Sequence, residues 1–142
     1  MTNTKRRVVV TGLGIISCIG NDTTEVLASL KAGKSGISAA PEYTELGFRS
    51  QVHGKPDIDL AANIDKRLFR FMGDGAAYTH LAMEQAIADA GLGEDIVSNE
   101  RSGIVIGSGG PSTKTVVAAA DITREKGPKR VGPFAVPKCM SS

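Results

Sequence analysis

The sequence predicts an α/β protein of closely packed layers, on three observations. Two apolar runs, Val8–Thr11 and the start of Gly103–Ser112, each lead into glycines, the pattern of a buried strand entering a turn. Between and after them lie stretches with helical start and stop signals. Hydrophobic residues make up 41% of the chain while aromatic ones supply only 4% and Trp is absent. A core of Val, Ile, Leu, Ala and Gly suits helices laid close against strands. At 142 residues one such domain can bury a real core, and nothing in the chain requires two.

In order along the chain, the β-branched run Val8–Thr11 is a buried strand bounded by Arg7 and Gly12. Asp22 is placed to cap a helix from Thr23 to about Ala32: its carboxylate accepts free backbone N–H groups, Glu25 faces the positive end of the helix dipole, and Gly33 supplies the stop. Val26, Leu27 and Leu30 give this helix one buried face. From Lys34 to Asn63 the signal weakens, and Pro41, Pro56 and scattered glycines imply loops with one short strand near Arg49–His53. A second helical region follows Asp65. Gly73-Asp74-Gly75 divides it into a short piece and a long helix ending before Gly91. Tyr78, Leu81, Ala82, Met83, Ala86, Ile87 and Ala90 point in several directions, which predicts burial on most sides. The second strand and its glycine-rich loop then precede a helix from Thr113 to about Arg124. Strand, helix and strand in this order imply a right-handed parallel arrangement.

Composition narrows the function. A net charge of +2 is too small for a general nucleic-acid binder, although local basic patches matter more than the total. No apolar run reaches the roughly 18 residues of a membrane span, and two cysteines make no disulfide framework. The expectation is a soluble cytoplasmic protein without metal or cofactor.

Several motifs resemble known chemistry and fall short of it. Gly12 and Gly14 begin a dinucleotide-binding Gly-x-Gly-x-x-Gly, but Ser17 stands where the third glycine belongs, and Lys31–Ala40 holds no carboxylate for a ribose. Lys5-Arg6-Arg7 before an apolar run, with Ile15-Ile16-Ser17-Cys18 behind it, resembles an export signal, yet Gly12 and Gly14 break the helix such a signal prefers. "SGGPSTKT", Ser108–Thr115, resembles a phosphate loop with both obligatory glycines replaced, by Ser108 and Thr113. His53 and His80 have no partner at metal-ligand spacing. Cys18 and Cys139 lack an activating context and read as small apolar groups. Two basic clusters remain as candidates for a partner: Lys66, Arg67 and Arg70, and Arg124, Lys126, Lys129 and Arg130.

Taken together, "VVVTGLGIISCIGN", "RFMGDGAAYTHLAMEQAIADAGL", "GSGG" and "VGPFAVPKCM" resemble, in order and over nearly the whole chain, the N-terminal part of the β-ketoacyl-acyl carrier protein synthase I family. These are condensing enzymes of fatty-acid synthesis. The resemblance implies a thiolase-like layered αβαβα fold made of two similar halves, and a homodimer. Residues 1–142 are then expected to be an incomplete N-terminal half, inert by itself. In the family a Cys at a helix N-terminus takes an acyl chain from a thioester. Two histidines assist decarboxylation of malonyl-carrier, and the enolate attacks the acyl thioester while backbone N–H groups hold the oxyanion.

No catalytic residue carries over to this sequence: the nucleophile's motif is expected shortly after Ser142, and the histidines belong to the second half. Arg67, Arg70, Lys126 and Lys129 match basic positions that dock the acidic acyl carrier protein. Gly110 and Met140 match positions near the dimer interface that shape the acyl-chain pocket. The resemblance also leaves open a non-catalytic partner subunit, similar to chain-length factors, whose nucleophile position would be replaced.

Overall fold

The computed structural model describes residues 6–140; Lys5, part of the basic tail, lies outside them. Helix α1 (Thr23–Lys31) begins where its capping signals place it. Asp22 Oδ1 accepts the Glu25 N–H at 2.8 Å, and Glu25 Oε2 accepts the Asn21 N–H at 2.8 Å, so two otherwise unpaired donors are satisfied reciprocally. Gly33, at φ 64°, turns the chain beyond it. Its buried face differs from the expectation. Val26 is buried, but Leu27 and Leu30 are 51% and 64% exposed, and Ser29 is buried in their place. The inward face of α1 meets backbone: Ser29 Oγ donates to the Ile19 carbonyl at 2.6 Å, a contact leucine cannot make.

The stretch from Lys34 to Asn63 holds more structure than its loop signals implied. Strands β1 (Ser38–Ala39) and β2 (Val52–His53) pair antiparallel, with Ser38 opposite His53 and Ala39 opposite Val52. Between them α2 (Pro41–Glu45) starts on a proline, whose fixed φ and missing N–H suit the first helical position. The short strand expected near Arg49–His53 is thus its last two residues.

The core gathers around α5 (Asp74–Asp89), which runs from the N-cap Gly73 to a stop at Gly91, φ 63°. Two one-turn helices fold against it: α3 (Leu60–Asn63) is capped by Asp59, whose Oδ1 accepts from Ala61 and Ala62, and α4 (Lys66–Phe69) by Asp65, which accepts from Arg67 at 2.7 Å. Ile64, Ala77 and Leu81 form the buried centre, with Ile16, Phe69 and Met72 packed on it. Full burial within α5 is confined to Ala77 and Leu81; Tyr78, Ala82, Met83, Ala86, Ile87 and Ala90 are half-buried. Helix α6 (Glu94–Val97) follows, then α7 (Thr113–Lys126), a 3₁₀ turn (Pro128–Arg130) and α8 (Ala135–Cys139). Among the described residues no helix is long and apolar enough to cross a membrane.

The two runs read as buried strands form no ladder among the described residues, and the parallel pairing between them is not made. Val8 is 94% exposed and Val105 99%. A strand exists through the backbone beside it, and neither run has a paired neighbour among the described residues. The segment that follows the first run lies along α5: a Cβ on Gly12 would overlap the Ala86 carbonyl and Ala90, and one on Gly14 would overlap the Ala82 carbonyl. Leu13 N–H donates to Asp89 Oδ2 at 2.9 Å and Ile15 N–H to Gln85 Oε1 at 3.0 Å. The paired glycines serve close backbone approach, not a phosphate. Ile104 and Val105 border a cavity with Met83 and Ile87 of the same helix.

Candidate functional site

The N-terminal ends of α5 and α7 meet the C-terminal end of α8, and a cavity of about 440 Å³ opens between them and the glycine-rich loop. Each end is held by backbone. Gly73, the N-cap of α5, sits so close to α8 and α7 that a Cβ there would come 2.7 Å from the Lys138 carbonyl and 3.0 Å from Ser112 Cβ. Ser112, the N-cap of α7, donates its N–H to the Cys139 carbonyl at 3.2 Å, and its hydroxyl lies 2.9 Å from that of Thr115. Across the opening Lys114 Nζ pairs with Asp74 Oδ2 at 3.2 Å. Both residues stand in the first turns of their helices. The carboxylate suits its helix dipole there and the ammonium does not, so Asp74 offsets the unfavourable placing of Lys114. One turn into α5, burial holds the Tyr78 phenol above its ordinary pKa; Asp74 pushes it further up and Lys114 opposes this.

Gly110 and Met140, the two positions matched to the acyl pocket, both line this cavity. A Cβ built on Gly110 meets nothing within 4 Å, so the missing side chain is open volume. The loop around it is braced by Ser108, whose hydroxyl donates to the Gly110 carbonyl at 2.9 Å. The lysine of the phosphate-loop near-match is Lys114, and its partner is Asp74.

The matched basic residues Arg67, Arg70, Lys126 and Lys129 are all exposed, and among the described residues none pairs with a carboxylate. Arg67 lies in α4 and Arg70 caps its end; Lys126 closes α7 and Lys129 lies in the 3₁₀ turn that packs against α7. Arg70 also meets aromatic rings. The Arg70 guanidinium lies 4.9 Å from the centre of the Phe71 ring and 5.1 Å from that of Phe134, which precedes α8.

The remaining candidates have structural partners. His53 Nδ1 stands 3.6 Å from Glu42 and edge-on to Tyr43, and His80 Nε2 stands 3.4 Å from Glu84 one turn along α5. Cys18 is packed between Gly36 and Gly54, where a Cβ would come 2.6 Å and 3.2 Å from its sulfur. Cys139 is the last residue of α8, and its carbonyl accepts the Ser112 N–H where α7 begins. The sequence reading missed the Asp74–Lys114 pair and the ring contacts of Arg70. The lysine was visible only as part of the phosphate-loop comparison, and the charge-run signal that found Arg70 carries no information about Phe134.

Comparison with known proteins places this arrangement. Residues 5–142 match the family described as beta-ketoacyl synthase, N-terminal domain. The chain is 54% identical over 138 residues to 3-oxoacyl-[acyl-carrier-protein] synthase 1 of Haemophilus influenzae (strain ATCC 51907 / DSM 11121 / KW20 / Rd), covering 96% of this chain and 34% of that protein. It is 49% identical over 139 residues to the protein of the same name from Escherichia coli (strain K12), with the same coverage. The chain thus spans about a third of the length of these relatives. Among solved structures it superposes on the ishigamide ketosynthase/chain length factor with a TM-score of 0.82 at 28% identity, covering 96% of this chain and 34% of that one. The α/β layering expected from the sequence is therefore the N-terminal portion of a thiolase-like αβαβα fold. The chain belongs to the β-ketoacyl synthase family and matches its N-terminal domain.

Proposed function

We propose that the protein of which these residues form the N-terminal part is a β-ketoacyl-acyl carrier protein synthase that elongates fatty acyl chains. The observation that carries this is the 54% identity, over 96% of the chain, to a protein named 3-oxoacyl-[acyl-carrier-protein] synthase 1. The reaction is a decarboxylative Claisen condensation. Malonyl-carrier loses CO₂, the electron pair left on carbon attacks the carbonyl of the enzyme-bound acyl thioester, and the enzyme thiolate leaves. No catalytic group is assigned within residues 1–142, which are an incomplete N-terminal half on this reading.

The part played by this segment is binding. The open volume beside Gly110 and Met140 receives the acyl chain near a homodimer interface, and the basic positions Arg67, Arg70, Lys126 and Lys129 form the surface for the acidic acyl carrier protein. Their lack of carboxylate partners among the described residues supports this. The reaction takes place in the cytoplasm and uses no metal or cofactor.

A second reading, a non-catalytic subunit similar to chain-length factors, is favoured by the superposition on a ketosynthase/chain length factor structure. It rests on 28% identity, against 54% for the first. One experiment separates them. The complete protein, given an acyl thioester and malonyl-carrier, is expected to release CO₂ and form a 3-ketoacyl product two carbons longer, read by mass spectrometry. No product from the protein alone, with product appearing when a ketosynthase partner is added, would establish the second reading instead.

A further inference from the structure

Arg70 differs from the other matched basic residues in having its charged face occupied. Its guanidinium is within about 5 Å of two ring centres, those of Phe71 and Phe134, and the rings meet edge to face at 5.0 Å and 88°. A planar, weakly hydrated cation complements the negative faces of two rings at once, which a compact, strongly hydrated ammonium does not. Phe134 is the residue from which α8 starts, and its carbonyl accepts the Lys138 N–H at 3.1 Å. The other end of α8 is held by Ser112 N–H on the Cys139 carbonyl, and the next residue, Met140, lines the cavity. The segment that places Met140 is therefore fastened at two points. Arg70 supplies one of them.

We propose that Arg70 is a positioning residue: by clasping Phe134 against Phe71 it fixes α8, and with it Met140, on the cavity wall, and it contributes to acyl transfer through that wall in addition to the charge it presents at the surface. The kinetic part of this proposal rests on the ketoacyl synthase reading; the clasp itself does not. Arg67, Lys126 and Lys129 show no such ring contacts among the described residues and remain the surface charges.

Two measurements on the complete protein test the clasp. In the first, thermal unfolding is followed for Arg70→Gln, Phe134→Leu and the double variant. Leucine preserves much of the apolar volume and removes the ring face, so the two losses in Tm are expected to overlap, the double variant losing clearly less than their sum. Additive losses would overturn the proposal. In the second, Arg70→Lys keeps the charge and loses the planar face. It is expected to lower kcat/KM several-fold for carrier-bound and for small carrier-free acyl thioesters alike. Wild-type activity in Arg70→Lys, or a loss in Arg70→Gln confined to carrier-bound substrate, would make Arg70 an ordinary docking charge. A complete protein without condensing activity would fail the functional reading, while the unfolding cycle still decides the clasp.

Discussion

Lys114 Nζ lies 3.2 Å from Asp74 Oδ2, tying together the first turns of two helices that are 40 residues apart in sequence. With the pair 80% and 51% exposed, its contribution to stability is small, about 0.2–1 kcal/mol. Its electrostatic effect on Tyr78 is the more informative quantity.

The Tyr78 phenol should titrate above the ordinary tyrosine value of 10.0, chiefly because burial disfavours the phenolate, with Asp74 adding to the rise and Lys114 opposing it. Asp74→Asn is therefore expected to lower the Tyr78 pKa and Lys114→Met to raise it, read from the part of the ultraviolet difference titration that Tyr78→Phe removes. A raised pKa means that the folded state holds the proton more tightly. The associated stability is present below the unfolded value and is lost as pH rises through the folded one; Asp74→Asn narrows the gap between the two values, so this variant loses less stability at alkaline pH and its alkaline unfolding should begin at higher pH. Unchanged values in both variants would show that neither charge acts on this phenol.

Gly12 and Gly14 should tolerate no side chain. Their missing Cβ atoms lie against the backbone of α5 at Ala82, Ala86 and Ala90, and a helix backbone cannot step aside as a flexible side chain can. Ala at either position is expected to cost about 1–3 kcal/mol in denaturant unfolding of the complete protein. Gly75, in the first turn of α5 with nothing within 4 Å of a Cβ, provides the contrast: Gly75→Ala should stabilise by up to about 1 kcal/mol through helix propensity. Equal effects at Gly14 and Gly75 would remove the close-packing account.

Residues 1–142 expressed alone should associate. Val8, Val10 and Val105 are 94%, 79% and 99% exposed in runs without strand partners among the described residues, and apolar surface joined to unpaired backbone recruits other chains. Sedimentation should show concentration-dependent oligomers, together with binding of a hydrophobic dye. A monodisperse monomer that melts cooperatively would refute this.

Arg67→Glu and Lys126→Glu, combined in the complete protein, should lower kcat/KM for carrier-bound substrate and flatten its dependence on salt, since long-range attraction chiefly speeds encounter and is screened by ions. Reaction with a small carrier-free thioester should change little. Equal losses on both substrates would place the damage in the fold or the active site.

What the sequence by itself determined is what neighbouring residues decide among themselves. Asp22 and Gly33 bracket α1, Gly73 and Gly91 bracket α5, and α7 begins at Thr113, because caps and stops act through one or two turns of backbone. The β1–α2–β2 stretch was poorly legible: its strands are two residues long and α2 has no side-chain cap, so no period and few local signals mark them. Family membership was legible for a different reason, the order of several separate motifs along the chain. Only the tertiary structure decided that Val8–Thr11 leads into a segment lying on α5 without forming a ladder, that Ser29 and not Leu27 or Leu30 faces inward on α1, and that Asp74 meets Lys114 and Arg70 meets Phe134. Strand pairing and burial depend on what lies across a gap in space, and the partners of Asp74 and Arg70 are 40 and 64 positions away. A periodicity or capping rule spans a few residues and reports nothing at that distance.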